Sequence, residues 1–222
     1  MDWSYAGENG PDRWSDINSD YRACNLGAFQ SPVDISNSIG SPELRPLIFH
    51  YHPIGLDLEF DGRVINGFPH NPLKVEFEDK TFQLYKITIH TPSEHKINSD
   101  RFDAEIQLFH RSEKHLLNIA VPIVDGAKNR QLADLVDKIP KQPHQQKVIS
   151  DIYFRKIIPK KSRYYRYSGS FTKPPCKEGV VWVVYDTPLQ MSGFQLDQWQ
   201  LVQGKNNRPT QDLGQRIPLE SR

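Results

Sequence analysis

Hydrophobic and polar residues alternate over much of the chain, a pattern that is typical of β-strands with one buried face. Residues 56–60 alternate cleanly before an Asp-Gly turn, and residues 73–77 and 81–84 flank a polar turn. Residues 116–124 form an apolar run interrupted only by Asn118 and Pro122. Such a run predicts a central strand that is buried on both faces. The chain is therefore predicted to be mainly β.

Two segments have the spacing of amphipathic helices instead. In residues 127–139 the apolar side chains fall at i, i+3, i+4 and i+7, and Pro140 ends the segment. Residues 194–202 are the second candidate, whereas the polar and basic residues 141–161 are predicted to be a surface loop. Because there is no internal repeat, linker or break in composition, the chain 1–222 is interpreted as a single domain.

Residues 85–110 carry the most polar of the predicted strands. In residues 86–90 and 104–110, two strands joined by a polar hairpin, alternation places one set of side chains on each face. If the polar faces meet, one buried cluster forms from Lys86, Thr88, His90, Glu105 and Gln107. His110 falls on the opposite face. Since unsatisfied buried polar groups are costly, the cluster is either a site or a former site.

Composition and charge exclude several classes of function. The 28 lysines and arginines balance 27 acidic residues, so no overall field favours nucleic acid or an anionic membrane. No apolar run approaches the roughly 20 residues of a membrane span. The first residues have neither a basic nor an apolar region, so no signal peptide is expected within them.

The chain has two cysteines, Cys24 and Cys176, and two interpretations remain open from the residues alone. They are either two unrelated buried thiols or a disulfide that closes a loop of about 150 residues. The chain-entropy argument gives such a bridge at most about 4–5 kcal/mol of stability. A disulfide would indicate an oxidising compartment.

Several motifs resemble those of the α-type carbonic anhydrases over nearly the whole chain. They are, in order, NGPDRW (9–14), QSPVDI (30–35), HTPSEH (90–95), DAEIQLFH (103–110), YRYSGSFTKPPCKEGVVW (165–182) and NNRPTQ (206–211). The resemblance implies a large, twisted, mostly antiparallel β-sheet with a few short peripheral helices. It also implies a disulfide between Cys24 and Cys176, as in bacterial and plant members, and therefore an extracellular, periplasmic or organelle-lumen location.

In that family three histidines hold a zinc ion, whose bound water loses a proton near neutral pH and attacks carbon dioxide. The corresponding positions in this chain are Thr88, His90 and Gln107, so only one histidine remains. A hydroxyl and an amide are poor zinc ligands. Lys86 stands two residues before Thr88 on the same face, where an ammonium would repel a dication and could pair with Glu105.

Other positions of the family's site survive or are altered. Glu94 and Thr172 match the pair that orients the zinc-bound hydroxide, and Glu105 matches the carboxylate that supports a ligand histidine. The altered cavity positions are Phe109, Asn118 and Lys173. His95 is predicted to be a buried structural histidine, and the His50-Tyr51-His52 repeat to be a surface feature.

We therefore predict a carbonic anhydrase-related protein that has lost zinc binding and carbon dioxide hydration, without a cofactor. It would act as a binding, structural or complex-assembly protein, with a protein rather than a nucleic acid as its partner. The alternative is a weakly active hydratase or esterase that holds zinc through His90 and non-standard ligands. A third interpretation is a small-molecule or anion binder that uses the old cavity.

Overall fold

The computed structural model describes residues 2–160 and 162–221, so Lys161 of the predicted 141–161 loop lies outside the described residues. The strands are β1 (Asp34–Ile35), β2 (Ile39–Gly40), β3 (Ile48–His50), β4 (Ile54–Phe60), β5 (Ile65–Pro69), β6 (Leu73–Phe77), β7 (Lys80–His90), β8 (Lys96–Ile97), β9 (Asp100–Arg101), β10 (Ala104–Arg111), β11 (Leu116–Asp125), β12 (Gln146–Ile152), β13 (Tyr164–Ser170), β14 (Glu178–Tyr185), β15 (Leu189–Met191) and β16 (Leu219–Glu220). The α-helices are α1 (Trp14–Ile17), α2 (Ala23–Leu26), α3 (Ala133–Asp137) and α4 (Gly193–Gln203).

Within these described residues a 13-stranded sheet dominates, and its main path runs β12-β4-β5-β7-β10-β11-β14-β13-β16-β2. Strand β6 joins the edge of β7 and carries β3, while β15 pairs with β11. Most neighbours are antiparallel, and the parallel pairs are β11 with β14, β11 with β15 and β16 with β2. The prediction of a mainly β fold with a large, mostly antiparallel sheet and a few short helices is confirmed.

The predicted strand at 116–124 is β11, which lies in the middle of the sheet and is almost entirely buried. Its neighbour β10 is buried from Ala104 to His110. These two strands and β7 therefore form a rigid platform below any site on their shared face. None of the described helices has the length and apolar character needed to cross a membrane.

Two predicted segments were wrong. The helix expected at 127–139 is only α3, because the Asn129 side chain accepts hydrogen bonds from the backbone of Gln131 and Leu132 and holds a turn there. The loop expected at 141–161 contains strand β12, which pairs with β4, and a 3₁₀ turn at Phe154–Ile157. Pairing with a distant strand overrides the polar local composition.

A covalent and aromatic cluster holds the N-terminal arm against the body. Cys24 and Cys176 form a disulfide across 152 residues of sequence, which indicates an oxidising compartment. Trp3, Tyr5 and Trp14 pack edge to face beside it, with ring centroids 5.2 to 6.0 Å apart. The arm thus reaches the platform, where the Tyr5 ring lies 6.4 Å from that of His90.

Candidate functional site

The register between β7 and β10 brings the two polar rows together. Glu105 lies opposite His90, Gln107 opposite Thr88, and Phe109 opposite Lys86. Paired residues on neighbouring strands share one face of a sheet, so the five polar residues grouped from the sequence do form one cluster. His110 points to the other face, where the Tyr51 hydroxyl bonds its Nε2.

His90, the one histidine left at the three ligand positions, has both ring nitrogens engaged. Its Nδ1–H donates to the backbone carbonyl of Asn206 at 2.7 Å, which leaves Nε2 as an acceptor. The Thr88 hydroxyl lies 3.1 Å from Nε2 and donates to it. The hydroxyl at the first ligand position thus occupies the nitrogen lone pair of the second.

Gln107, at the third ligand position, bridges two carboxylates. Its Nε2 donates to Glu94 Oε2 at 2.8 Å and to Glu105 Oε1 at 2.7 Å, and all three residues are fully buried. Ionised carboxylates only accept hydrogen bonds, so the amide nitrogen must face them. The Gln107 Oε1 is left buried without a partner among the described residues.

The two carboxylates have further donors of their own. Glu94 Oε1 accepts from the Arg208 backbone at 3.0 Å. Glu105 accepts from the His95 backbone at 3.0 Å and from its Nδ1 at 2.9 Å, while His95 Nε2 meets the Tyr167 hydroxyl at 2.7 Å. His95 is therefore the buried, hydrogen-bonded histidine that the sequence predicted.

Burial opposes ionisation of Glu105, but His95 outweighs it. The electrostatic attraction and hydrogen bonds of His95, together with the bond from Gln107, hold the pKa of Glu105 below its ordinary value. Within the part of the chain that the structure describes, Thr172 does not bond Glu94. Glu94 and Thr172 therefore lack the hydroxyl-to-carboxylate hydrogen bond that would orient a hydroxide.

The cavity next to these residues is small, with a volume of about 20 Å³, which is room for about one water molecule. Phe109 fills the adjacent space and stacks on Phe171 at a centroid distance of 6.3 Å. Lys86 places its Nζ 4.2 Å from the centre of the Phe109 ring. The cavity is lined by Val64, Lys86, Thr88, His90, Phe109, Phe171, Thr172 and Lys173.

The ion pair suggested between Lys86 and Glu105 does not form among the described residues, because Glu105 is taken by His95 and Gln107. Burial, with a smaller contribution from the nearby charge of Lys173, lowers the pKa of Lys86 to about 7; Asp61 opposes this. Lys173 is 3.9 Å from Asp61.

Asn118, the third altered position, is fully buried on β11 between Phe109 and Trp182 of the neighbouring strands. Neither its Nδ2 nor its Oδ1 has a partner among the described residues. A polar side chain thus occupies a position where the family commonly has a small apolar residue.

The residues at the ligand positions do not fit zinc. No group of three His, Cys, Asp or Glu side chains in the described ranges could hold a metal ion. The hydroxyl of Thr88 and the amide oxygen of Gln107 are poor ligands for zinc, and the Thr88 hydroxyl is already hydrogen-bonded to His90. His50 lies on the surface and bonds Glu76 at 2.6 Å.

Sequence reasoning missed two contributors to the site, Asp61 and Phe171. Both lie outside residues 86–110: Asp61 follows β4 in the Asp-Gly turn and Phe171 lies within the 165–182 motif, but neither pattern indicates that these side chains come close to the cavity. The carbonyl of Asn206 and the backbone of Arg208 are equally remote, although both residues belong to the NNRPTQ motif.

Known proteins resemble this chain over most of its length. The profile of the family described as eukaryotic-type carbonic anhydrase matches residues 9–221. A carbonic anhydrase of Nostoc sp. is 31% identical over 230 residues, which cover 100% of this chain and 86% of that protein. Dioscorin DB3S of Dioscorea polystachya is 33% identical over 79% of this chain and 68% of its own length.

Among solved structures, a hyperthermostable carbonic anhydrase identified from an active hydrothermal vent chimney superposes with a TM-score of 0.95. It is 32% identical, and the match covers 100% of both chains. The profile match, the Nostoc relative and the superposition each cover nearly the full length of the chain. The chain is therefore a member of the α-type carbonic anhydrase family.

Proposed function

We propose that this chain is a carbonic anhydrase-related protein that has lost zinc binding and carbon dioxide hydration. It serves as a binding, structural or complex-assembly protein with a protein partner, in an oxidising setting such as an extracellular space, a periplasm or an organelle lumen. The observation that carries the proposal is Gln107, whose amide nitrogen is turned towards Glu94 and Glu105. Because an amide nitrogen has no lone pair to give, only the Gln107 Oε1, a poor ligand for zinc, could replace the imidazole at this position.

Three further features support the loss. Thr88 donates to His90, the one imidazole left at the three ligand positions. Lys86 brings an ammonium group to the cavity, and Phe109 fills the space beside that cavity. Carbon dioxide hydration in this family depends on water whose pKa is lowered by zinc. Without that ion, Glu94, Thr172 and Glu105 have no bound hydroxide to orient, and the two carboxylates act as structural hydrogen-bond acceptors.

The proposal is tested by metal analysis and stopped-flow carbon dioxide hydration on the purified protein. We expect far less than one zinc per chain and hydration at the uncatalysed rate, before and after addition of zinc. One zinc per chain, with hydration that is abolished both by chelation and by His90→Ala, would establish the alternative of a weak metal-dependent enzyme. That alternative rests on His90 Nε2, because Nδ1 is bonded to the Asn206 carbonyl.

A matched variant shows that the assay can detect a working site in this chain. Thr88→His with Gln107→His restores the ligand set, and adding Lys86→Gln removes the opposing ammonium. We expect the triple variant to bind one zinc and the double variant to bind it more weakly. The same reversions leave the outer surface unchanged, so a gain of metal would be specific to the three positions. A wild-type protein that binds zinc as tightly as the triple variant would refute the proposal.

A further inference from the structure

Strand β3 leaves one edge of the large sheet open. Within the described residues only β6 pairs with β3, through residues 74–76, and no backbone group outside β6 hydrogen-bonds to it. In an antiparallel pair, successive residues direct their N–H and C=O groups alternately towards the partner strand and away from it. At least one residue of β3 therefore presents both backbone groups at the open edge. The apolar side chain of Ile48 on this strand is 55% exposed.

Two surface cavities flank β3, one on each face. The larger cavity has a volume of about 680 Å³ and is lined by Ile48, and the smaller has a volume of about 300 Å³ and is lined by Phe49. Neighbouring residues of a strand point to opposite faces, so the two cavities lie on opposite sides of β3. They meet at Leu44 and Pro46, which line both. An extended chain added along the open edge would therefore send alternate side chains into the two cavities.

The larger cavity favours positively charged side chains. Four carboxylates and two guanidinium groups line it, which leaves a net charge of −2. Arg166 donates to both carboxylate oxygens of Glu78, at 2.9 and 3.3 Å, so these two residues compensate each other. Glu43 and Asp79 also line this cavity and form no ion pair within residues 2–160 and 162–221. A lysine or arginine of a partner would pair with them.

The smaller cavity favours apolar or aromatic side chains. Its lining includes Leu47, Phe49 and two tyrosines, Tyr164 and Tyr185, whose rings meet edge to face at 6.2 Å. The guanidinium of Arg155 lies 5.3 Å from the centre of the Phe49 ring and would repel a basic side chain that entered here. The two faces of β3 thus differ in the side chains that they accept.

We infer that the open edge of β3 binds an extended segment of a protein partner in which lysine or arginine alternates with apolar or aromatic residues. The segment adds a strand to the sheet, with its basic side chains in the larger cavity and its apolar side chains in the smaller one. A second copy of this chain fits less well, because twofold pairing of β3 places the two acidic linings on the same side of the joined sheets. The inference rests on the proposed function, for which it specifies the partner's chemistry.

The test begins with selection from a library of displayed random peptides of about nine residues, which is long enough to span β3 and both cavities. We expect the full chain to enrich sequences that alternate basic and apolar residues and bind with a Kd below about 100 μM, measured by fluorescence anisotropy. Two derivatives of a selected peptide are then methylated on alternate backbone nitrogens, odd or even. Only the derivative whose methyl groups replace the N–H groups facing β3 should lose binding. Equal behaviour of the two derivatives would overturn the added strand.

Variants of the chain test the contribution of the larger cavity. Glu43→Gln with Asp79→Asn removes two charges at similar shape, and asparagine tolerates the positive φ of 58° at position 79. We expect the affinity for a selected peptide to fall about tenfold. The matched control is Glu113→Gln with Asp197→Asn, two exposed carboxylates outside both cavities, which should leave the affinity unchanged. Equal losses in the two double variants would indicate non-specific attraction of a basic peptide and overturn the inference.

Two further measurements separate the alternatives. A chain that dimerises in sedimentation experiments, and becomes monomeric in Ile48→Lys, would assign the edge to a second copy and overturn the inference. A zinc-free chain that enriches no alternating peptide would overturn the inference and leave the proposed loss of zinc intact. Peptide binding by a chain that also carries one active zinc would refute the proposed loss and support the peptide site.

Discussion

Replacing Gln107 with methionine tests whether the former ligand position is now a structural support. Methionine keeps the approximate volume and flexibility of glutamine but removes the amide nitrogen that bonds Glu94 and Glu105. Both carboxylates are fully buried, so water cannot replace the lost donor without a rearrangement. We expect the variant to fold with a lower free energy of unfolding.

The magnitude follows from the two bonds. Glu94 Oε2 loses its only donor, which costs about 1.5–3 kcal/mol for a bond to a charged group, whereas Glu105 Oε1 keeps the bond from His95 Nδ1 and loses about 1.5 kcal/mol, which gives about 3–4.5 kcal/mol in all. The change also removes the unpartnered Gln107 Oε1, which offsets about 1–2 kcal/mol of that cost. The expected net loss is therefore about 1–3.5 kcal/mol.

The assay is urea unfolding followed by tryptophan fluorescence, with Gln146→Met as the control on an exposed position of β12. The difference in the free energy of unfolding between wild type and Gln107→Met should become smaller at acid pH. The pKa of Glu105 is lowered in the folded protein, so its stabilisation is present above the unfolded pKa and is lost as the pH falls. In the Gln107→Met variant the pKa of Glu105 is lowered less, so the variant has less stability to lose than the wild type as the pH falls. A loss below about 1 kcal/mol at neutral pH, or equal to that of Gln146→Met, would refute the structural role.

Three further outcomes are expected. Burial lowers the pKa of His110 from 6.5 to about 3, so stability should fall by up to about 5 kcal/mol as the pH drops from about 6.5 to about 3; equal urea midpoints at pH 7 and pH 4 would contradict this. Cys24→Ala with Cys176→Ala should lower the free energy of unfolding by about 2–5 kcal/mol, measured against reduced and oxidised wild type. Asn118→Leu, which removes two unpartnered polar atoms at similar volume, should raise stability by about 1–3 kcal/mol, and a lower thermal midpoint would refute that account.

The arrangement of the cluster could be predicted from sequence because strand periodicity is strict. Alternation in residues 86–90 and 104–110 put Lys86, Thr88, Glu105 and Gln107 on facing rows, and the register of β7 and β10 places them there. The excluded position of His110 follows from the same rule. Because side chains in a strand point to one face or the other, a few residues are enough to assign the face of each side chain.

The hydrogen bonds within the cluster could not be predicted in the same way. Alternation gives the face of Gln107 but not which end of its amide points to Glu94, since that depends on acceptors from another segment. Strand β12 was missed for a related reason: its partner β4 lies about 90 residues earlier, and local polarity resembled that of a loop. Contacts distant in sequence decide both features.

The residues at the family's zinc-ligand positions are coupled through Glu94 and Glu105 in this chain. A histidine at position 107 that gave one ring nitrogen to a metal would have a single N–H left, enough for one carboxylate. Gln107 satisfies both with one amide nitrogen, so the pair no longer needs a metal or its ligands to be compensated. Thr88 does the same for His90 by donating to the nitrogen that a metal would occupy. Since each new side chain now supports a neighbour, reversing one of them alone removes hydrogen bonds before any metal site exists. Thr88→His and Gln107→His together with Lys86→Gln are therefore the combined change that we expect to bind zinc most tightly in this chain.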